Sequence, residues 1–311
     1  TPWMKKYFPR WSMKESAWLT RSIEQPHPFT LDFPGHIKEK EVKQAFLEIL
    51  NKLEEDKNSD INYKKNLASE ILEYMILKMK EKFKQQMEIS FDILANQKSK
   101  KYTIQYIIDL LNEYFNTRFE KKPGFSYIPV VAVYSLLQTV MPYLERYKGK
   151  KLGELRSHTA SDRTSFALGD IEVFNEDYSR FEVFEIKYNI MISIGDIEDV
   201  IAKIKNSGEC KLRRYYILTT SRPNLVPQEE HQIKIKCESF LSESGVEIIP
   251  NDVILTIKYF LRLIDKPEDF IKTFTNNLQD SFRRESVVKE EHLKKWKEIL
   301  QKFGFIVDCD R

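Results

Sequence analysis

The sequence predicts an α/β fold in which a mixed β-sheet is flanked by helices, with a helical region added ahead of it. Three observations predict this. Apolar residues recur at a helical period through the first third of the chain, and strands alternate with helices from about residue 167 onward. Between the two patterns stands a breaker, Lys121-Lys122-Pro123-Gly124-Phe125. With 311 residues and 41% hydrophobic content, the chain can bury a substantial core as one large domain or two of ordinary size.

Residues 1 to 36 read as an irregular aromatic arm. Trp3, Tyr7, Phe8, Trp11 and Trp18 precede a stretch in which Pro26, Pro28 and Pro34 forbid a long helix. Its rings either pack on another surface or, beside Lys5, Lys6, Arg10 and Arg21, stack on bases. Phe46, Ile49, Leu50 and Leu53 then define one helix face. Leu67, Ile71, Tyr74, Met75, Met79 and Phe83 define the face of a second helix running from about Tyr63 into the nineties. Thr103 is placed to cap a third. After the breaker, IPVVAVYSLLQTVMPYLERY predicts a buried helix. A polar loop and a hairpin (DIEVF, NEDYS, RFEVFEIKY) follow, then helix, strand, helix, strand, and further amphipathic helices. The expected organisation is an arm and helical region over 1–122, a core over 123–265, and C-terminal helices over 266–311 packed on that core.

Bulk properties exclude several classes. Fifty Lys plus Arg against 47 Asp plus Glu leaves +3, so a nucleic-acid site would have to come from local clustering. Cys210, Cys237 and Cys309 are widely spaced without a Cys-x-x-Cys pair, which argues against a disulfide framework and against a thiolate zinc site. No uninterrupted apolar run approaches the roughly 18 to 20 residues that cross a bilayer. The opening segment also lacks a signal-peptide pattern, so the expected compartment is the cytoplasm. No Gly-rich phosphate loop and no Gly-x-Ser-x-Gly elbow is present.

The chemistry concentrates in the stretch Ala167 to Asn189, ALGDIEVFNEDYSRFEVFEIKYN. A strand period of two puts Glu185 and Lys187 on one face, and pairing across a turn near Glu176–Ser179 brings Asp170 close to Glu185. Two carboxylates beside an ammonium are costly as mere structure, because like charges repel and desolvate one another. Mg²⁺ removes that cost, since it takes a few carboxylate oxygens together with water and phosphate oxygens. Glu172 shares the Asp170 face and is either a rival ligand or a solvent-side charge. Glu182 points to the other face with Phe184.

Asp170 and the strand ending Glu185-Ile186-Lys187, with a helix before and a helix plus strand after, resemble the PD-(D/E)xK nuclease core over roughly Ile128 to Pro250. The chain's size and added helical region resemble type II restriction endonucleases. Gly169 stands where that motif often has Pro, and the short segment TSFAL is either the first strand of the core or an entry loop. The resemblance implies a restriction-endonuclease-like core. Asp170 and Glu185 would be metal ligands, Lys187 the catalytic lysine, Mg²⁺ the cofactor and double-stranded DNA the substrate. It also implies an acidic residue from the preceding helix, for which Glu145 and Glu154 are the candidates, with Glu145 preferred as the more clearly helical.

DNA contacts would come from the loop RSHTASDRTS, through Arg156, Ser157, His158, Thr159, Ser161 and Arg163, unless this is an ordinary surface loop. His158 would alternatively be a general base. Arg213, Arg214 and Arg222 flank the strand after the hairpin, as phosphate contacts or as charge balance at strand ends. A palindromic target would call for a homodimer. A DNA methyltransferase would be a natural companion of such an enzyme. The rivals are a repair, recombination or defence nuclease on the same core, and a non-catalytic helical DNA-binding protein.

Overall fold

The computed structural model describes residues 40–55, 70–71, 73–78, 81, 102–117, 124–155, 167–284 and 287–305. They fall in two compact units, 40–81 in the first and 102–305 in the second. In the first, helix α1 spans Lys40–Glu55. Leu47 is buried, whereas Ile49 is 45% exposed and Tyr74 and Met75, in a further helical stretch, are 62% and 54% exposed. Ile49, Tyr74 and Met75 were expected on buried faces. A helical period names a face but not the neighbour that covers it.

The second unit is built on a sheet of five strands in the order β1-β2-β3-β4-β5. These are β1 (Lys151–Leu152), β2 (Ile171–Phe174), β3 (Arg180–Lys187), β4 (Arg214–Thr219) and β5 (Glu247–Asp252). The first three pair antiparallel as a meander, and β3, β4 and β5 are parallel. The expected mixed sheet flanked by helices is therefore present. Thr164, Ser165 and Phe166 of TSFAL lie outside the described residues, and among the described residues the first strand is β1. At two residues it carries no periodicity for a sequence pattern to detect. Pro250 sits in β5 because β5 is an edge strand, where a missing amide proton costs no ladder bond.

Two apolar layers enclose the sheet. On one face, helices α2 (Ile104–Phe115), α3 (Ile128–Val140), α6 (Val253–Leu261), α7 (Asp269–Arg284) and α8 (Glu290–Lys302) bury Phe184, Ile186, Tyr216 and Leu218. On the other, α4 (Ile194–Ser207) and α5 (Glu230–Ser244) bury Val183, Tyr215, Ile217 and Ile248. Alternate residues of β3 and β4 thus enter different cores, as the pleat requires. Helix α2 starts at its expected cap, Thr103 Oγ1 accepting from the Tyr106 amide at 3.2 Å. However, Ile107, Leu110, Leu111 and Tyr114 are buried in the sheet's own core. Helix α2 therefore belongs with the sheet and not with the helical region expected to end at residue 122. The apolar surface it buries outweighs the breaker that follows it in sequence.

Helix α3 is apolar on almost every side, which explains why it lies in the middle of a layer. Together with the 3₁₀ turns at its ends, it forms a helical stretch, Phe125–Tyr143, whose length and composition would also suit a membrane span. In this fold 72% of that stretch is buried inside the protein. Ser and Gln interrupt the apolar run here without interrupting the helix, so a helix of this length arises although no uninterrupted apolar run reaches it.

Glu182 is completely buried on the α3 side of the sheet. Tyr147 Oη donates to its Oε2 at 2.7 Å, Arg146 pairs with Oε1, and Arg214 stands 3.7 Å from Oε1. Burial pushes the Glu182 carboxyl up, with Tyr147, Arg146 and Arg214 opposing the shift. A β-bulge between Val173 and Phe174 skips Phe181 in the pairing, so that Phe181 and Glu182 both meet the Tyr147 ring and hydroxyl. Replacing Tyr147→Phe keeps the ring and removes the donor to a buried charge. The expected loss is about 1.5–3 kcal/mol of stability, measured as a lowered denaturant midpoint at unchanged m-value.

Candidate functional site

The hairpin turns through Asn175–Ser179, where the Asn175 amide donates to the Ser179 carbonyl at 2.8 Å and Tyr178 takes a left-handed φ of 62°. Its register sets Ile171 opposite Phe184 and Glu172 opposite Val183. One step further along, that register sets Asp170 against Glu185. Asp170 Oδ2 accepts from the Ile186 amide, next to Glu185 on β3, at 2.8 Å. Glu185 and Lys187 lie on the α4 face of β3, at the carboxyl ends of the parallel strands, with Lys187 paired to Thr219. Clefts at such ends are where open α/β sheets bind ligands.

Three contacts pin the segment that carries Asp170. The Leu168 amide donates to Glu172 Oε1 at 3.0 Å, and Tyr215 Oη lies 2.6 Å from the Leu168 carbonyl oxygen. Gly169 lies so close to β3 that a Cβ there would meet Val183 Cγ1 at 2.6 Å and the Phe184 carbonyl oxygen at 2.8 Å. Any side chain would collide there, so glycine is a packing requirement. Glu172 is 4% exposed and also accepts from Arg180 Nε at 2.6 Å, while Arg180 reaches on to Glu209. Its carboxylate is thus engaged as a strut that sets Leu168 and, through it, Asp170. Its Oε1 takes both of these bonds, and at 4% exposure it is buried and not a solvent-side charge.

Around Glu185 the charges form a chain. Lys203, from α4, stands 2.9 Å from Glu185 Oε2, and Lys187 stands 3.5 Å from Oε1. Lys187 is in turn 2.9 Å from Asp196 Oδ1. Tyr215 Oη lies 2.8 Å from Glu185 Oε2, and its one proton serves either this oxygen or the Leu168 carbonyl. Burial alone would raise the Glu185 carboxyl. Lys203 above all, then Tyr215 and Lys187, overcome it and hold the group below its usual value. Burial works to lower Lys187, but the bond to Asp196 and the charges of Glu185 and Asp196 leave it raised. At neutral pH the site therefore contains an ionised Glu185 and a protonated Lys187.

Asp196 is doubly used. Its Oδ2 accepts from the Ser193 amide and hydroxyl, both at 2.8 Å, closing the capping box that starts α4, while Oδ1 faces Lys187. Sequence reasoning missed Asp196, Lys203 and Tyr215. The Ser-x-x-Asp box was readable, and Lys203 lies two turns on from Asp196 along the same helix face. Tyr215 was not readable, since its meeting with Glu185 depends on the register of β3 with β4.

The other predicted residues separate by location. Glu145 lies in a 3₁₀ turn beyond α3, 86% exposed and paired with Lys148. Its neighbours Arg146 and Tyr147 reach Glu182 on the face opposite Glu185, so the structure does not bring Glu145 to the site. The helix ends at Val140, earlier than the sequence period implied. Glu154 is exposed after β1. Arg213 and Arg214 lie at the amino end of β4, where Arg214 Nε pairs with Glu247 at 2.7 Å. Only Arg222, 2.9 Å from Asp252, is at the carboxyl end with Lys187. Arg156, Ser157, His158, Thr159, Ser161 and Arg163 lie outside the described residues. Among the described residues, no group of three or more His, Cys, Asp or Glu side chains is gathered for a metal ion. Compared with family models, curated proteins and solved structures, the chain gives no match.

Two expectations follow from this geometry. Gly169→Ala should destabilise the protein by about 1–3 kcal/mol, because the strand backbone it meets cannot yield as a side chain can; thermal and denaturant unfolding measure this. Glu185 has a depressed value in the folded state, so its stabilising contribution is present above its usual value of 4.5 and is lost as pH falls through the lowered one. The stability difference between wild type and Glu185→Gln should therefore shrink below about pH 4.5 in acid titrations followed by circular dichroism.

Proposed function

We propose that the chain is a Mg²⁺-dependent endonuclease that hydrolyses phosphodiester bonds in double-stranded DNA at a specific sequence, as a type II restriction enzyme does. The observation that carries this reading is the register of the hairpin, with Asp170 opposite Glu185 and Lys187 one pleat further on the same face. The helix, meander, helix and strand order of α3, β1–β3, α4 and β4 supports a restriction-endonuclease-like core.

The donor set suits Mg²⁺, because two carboxylates on adjacent strands give hard oxygen ligands and an incomplete shell. Asp170 and Glu185 would hold the ion. Once bound, it supplies polarisation of a phosphate oxygen and a lowered pKa for a coordinated water. Lys187 remains protonated at neutral pH, so its role is donation: it orients a water or phosphate oxygen and offsets the charge that develops there. Asp196 holds that ammonium in place. Arg222 and the polar sequence from Arg156 to Ser165 are the proposed contacts to phosphates and bases. Two strands of a palindromic target require two copies of the chain.

Two properties support the rival reading, in which the hairpin of a non-catalytic DNA-binding protein is only structural. Both Glu185 oxygens are already engaged, and among the described residues no third acidic ligand is gathered. Purified protein with Mg²⁺ and plasmid DNA decides between them. Wild type should cut into discrete fragments, and Lys187→Ala should cut about 10²- to 10³-fold more slowly while still binding Mn²⁺. Equal cleavage by the variant would remove Lys187 from the mechanism, and a smear in place of bands would indicate the general nuclease.

A further inference from the structure

We propose that Lys203 is a displaceable cation occupying the face of Glu185 that the divalent ion must take, so that metal binding at this site proceeds by exchange of an ammonium for the ion. The proposal rests on Asp170 and Glu185 being the metal-holding pair. Lys203 Nζ is 2.9 Å from Glu185 Oε2, closer than Lys187 is to Oε1 at 3.5 Å. The two lysines are held differently. Lys187 is 19% exposed and has a second, nearer carboxylate in Asp196 at 2.9 Å. Lys203 is 48% exposed, near the middle of α4, and pairs with Glu185.

The charges give the exchange a direction. Glu185 and Asp196 pair with Lys187 and Lys203, and Asp170, bonded to the Ile186 amide on the adjacent strand, adds a third acidic side chain against two ammoniums, while the Arg180 charge is taken up by Glu172 and Glu209. An arriving divalent ion meets an attractive cluster but finds its oxygen occupied. A long, half-exposed lysine can swing into water by rotating its stem, with no backbone movement and no buried charge left behind, because the ion replaces it at Glu185. The ion pair itself is of the weak, solvent-screened kind, which makes it a competitor and not a lock. Lys187 cannot leave in the same way, since Asp196 is fixed by the α4 capping box.

Mn²⁺ titration of the full chain without DNA, followed by the electron paramagnetic resonance of free Mn²⁺, tests this. Asp170→Asn identifies the site. Lys203→Met should bind Mn²⁺ tighter by a factor on the order of five, and Lys203→Arg, which restores the charge, should bind as wild type does. Unchanged or weaker binding by Lys203→Met overturns the proposal while leaving the metal site standing. Equal tightening by Lys203→Arg also overturns it, because bulk and not charge would then be responsible. Absence of any binding sensitive to Asp170→Asn overturns both the proposal and the metal reading. Tightening in Lys203→Met without plasmid cleavage by any variant supports the exchange and rejects the nuclease.

Discussion

The organisation of the site depends on one hydrogen bond, from the Ile186 amide to Asp170 Oδ2 at 2.8 Å. Asp170 lies just before β2, one residue beyond the last paired position of the ladder. Its own side chain extends the pairing by one residue and thereby fixes where its carboxylate sits relative to Glu185. Each surrounding feature serves that placement. Glu172 and Tyr215 hold the Leu168 amide and carbonyl, and the missing side chain at Gly169 lets the segment lie directly against β3.

The sheet also sorts charges by face. Glu182 and Glu185 are three residues apart on one strand, and the pleat sends them into different environments. Glu182 meets Tyr147 and two arginines in a sealed setting, where burial raises its pKa. Glu185 meets two lysines at an accessible edge, and its pKa falls. Residues of the same type thus become a buried structural anchor and a lysine-paired carboxylate at an edge, and the difference is set by which core lies beneath each one.

Much of this was legible in the sequence. The hairpin, its turn and the shared face of Glu185 and Lys187 follow from a period of two, and the cap at Thr103 follows from its side chain. What was not legible depended on tertiary partners. The burial of Glu172 and its bonds to Arg180 across the hairpin and to the Leu168 amide could not be read from its strand face alone. Glu145 looked helical because the apolar pattern of α3 continues past Val140, but Pro142 tightens the chain into 3₁₀ turns that lead it to the other face. Helix α2 was grouped with the wrong unit because a breaker marks a change of direction and not the limit of a core.

The bulge between Val173 and Phe174 has a consequence for how the hairpin tolerates change. It absorbs a one-residue offset between the turn and the four-residue strand β2. On its far side, the pairing of Ile171 with Phe184 and of Glu172 with Val183 is already anchored by Leu168, Tyr215 and Arg180. The Asn175–Ser179 turn is therefore insulated from the carboxylates at the other end. Length and sequence can drift in the turn while the face presented by Asp170, Glu185 and Lys187 stays the same.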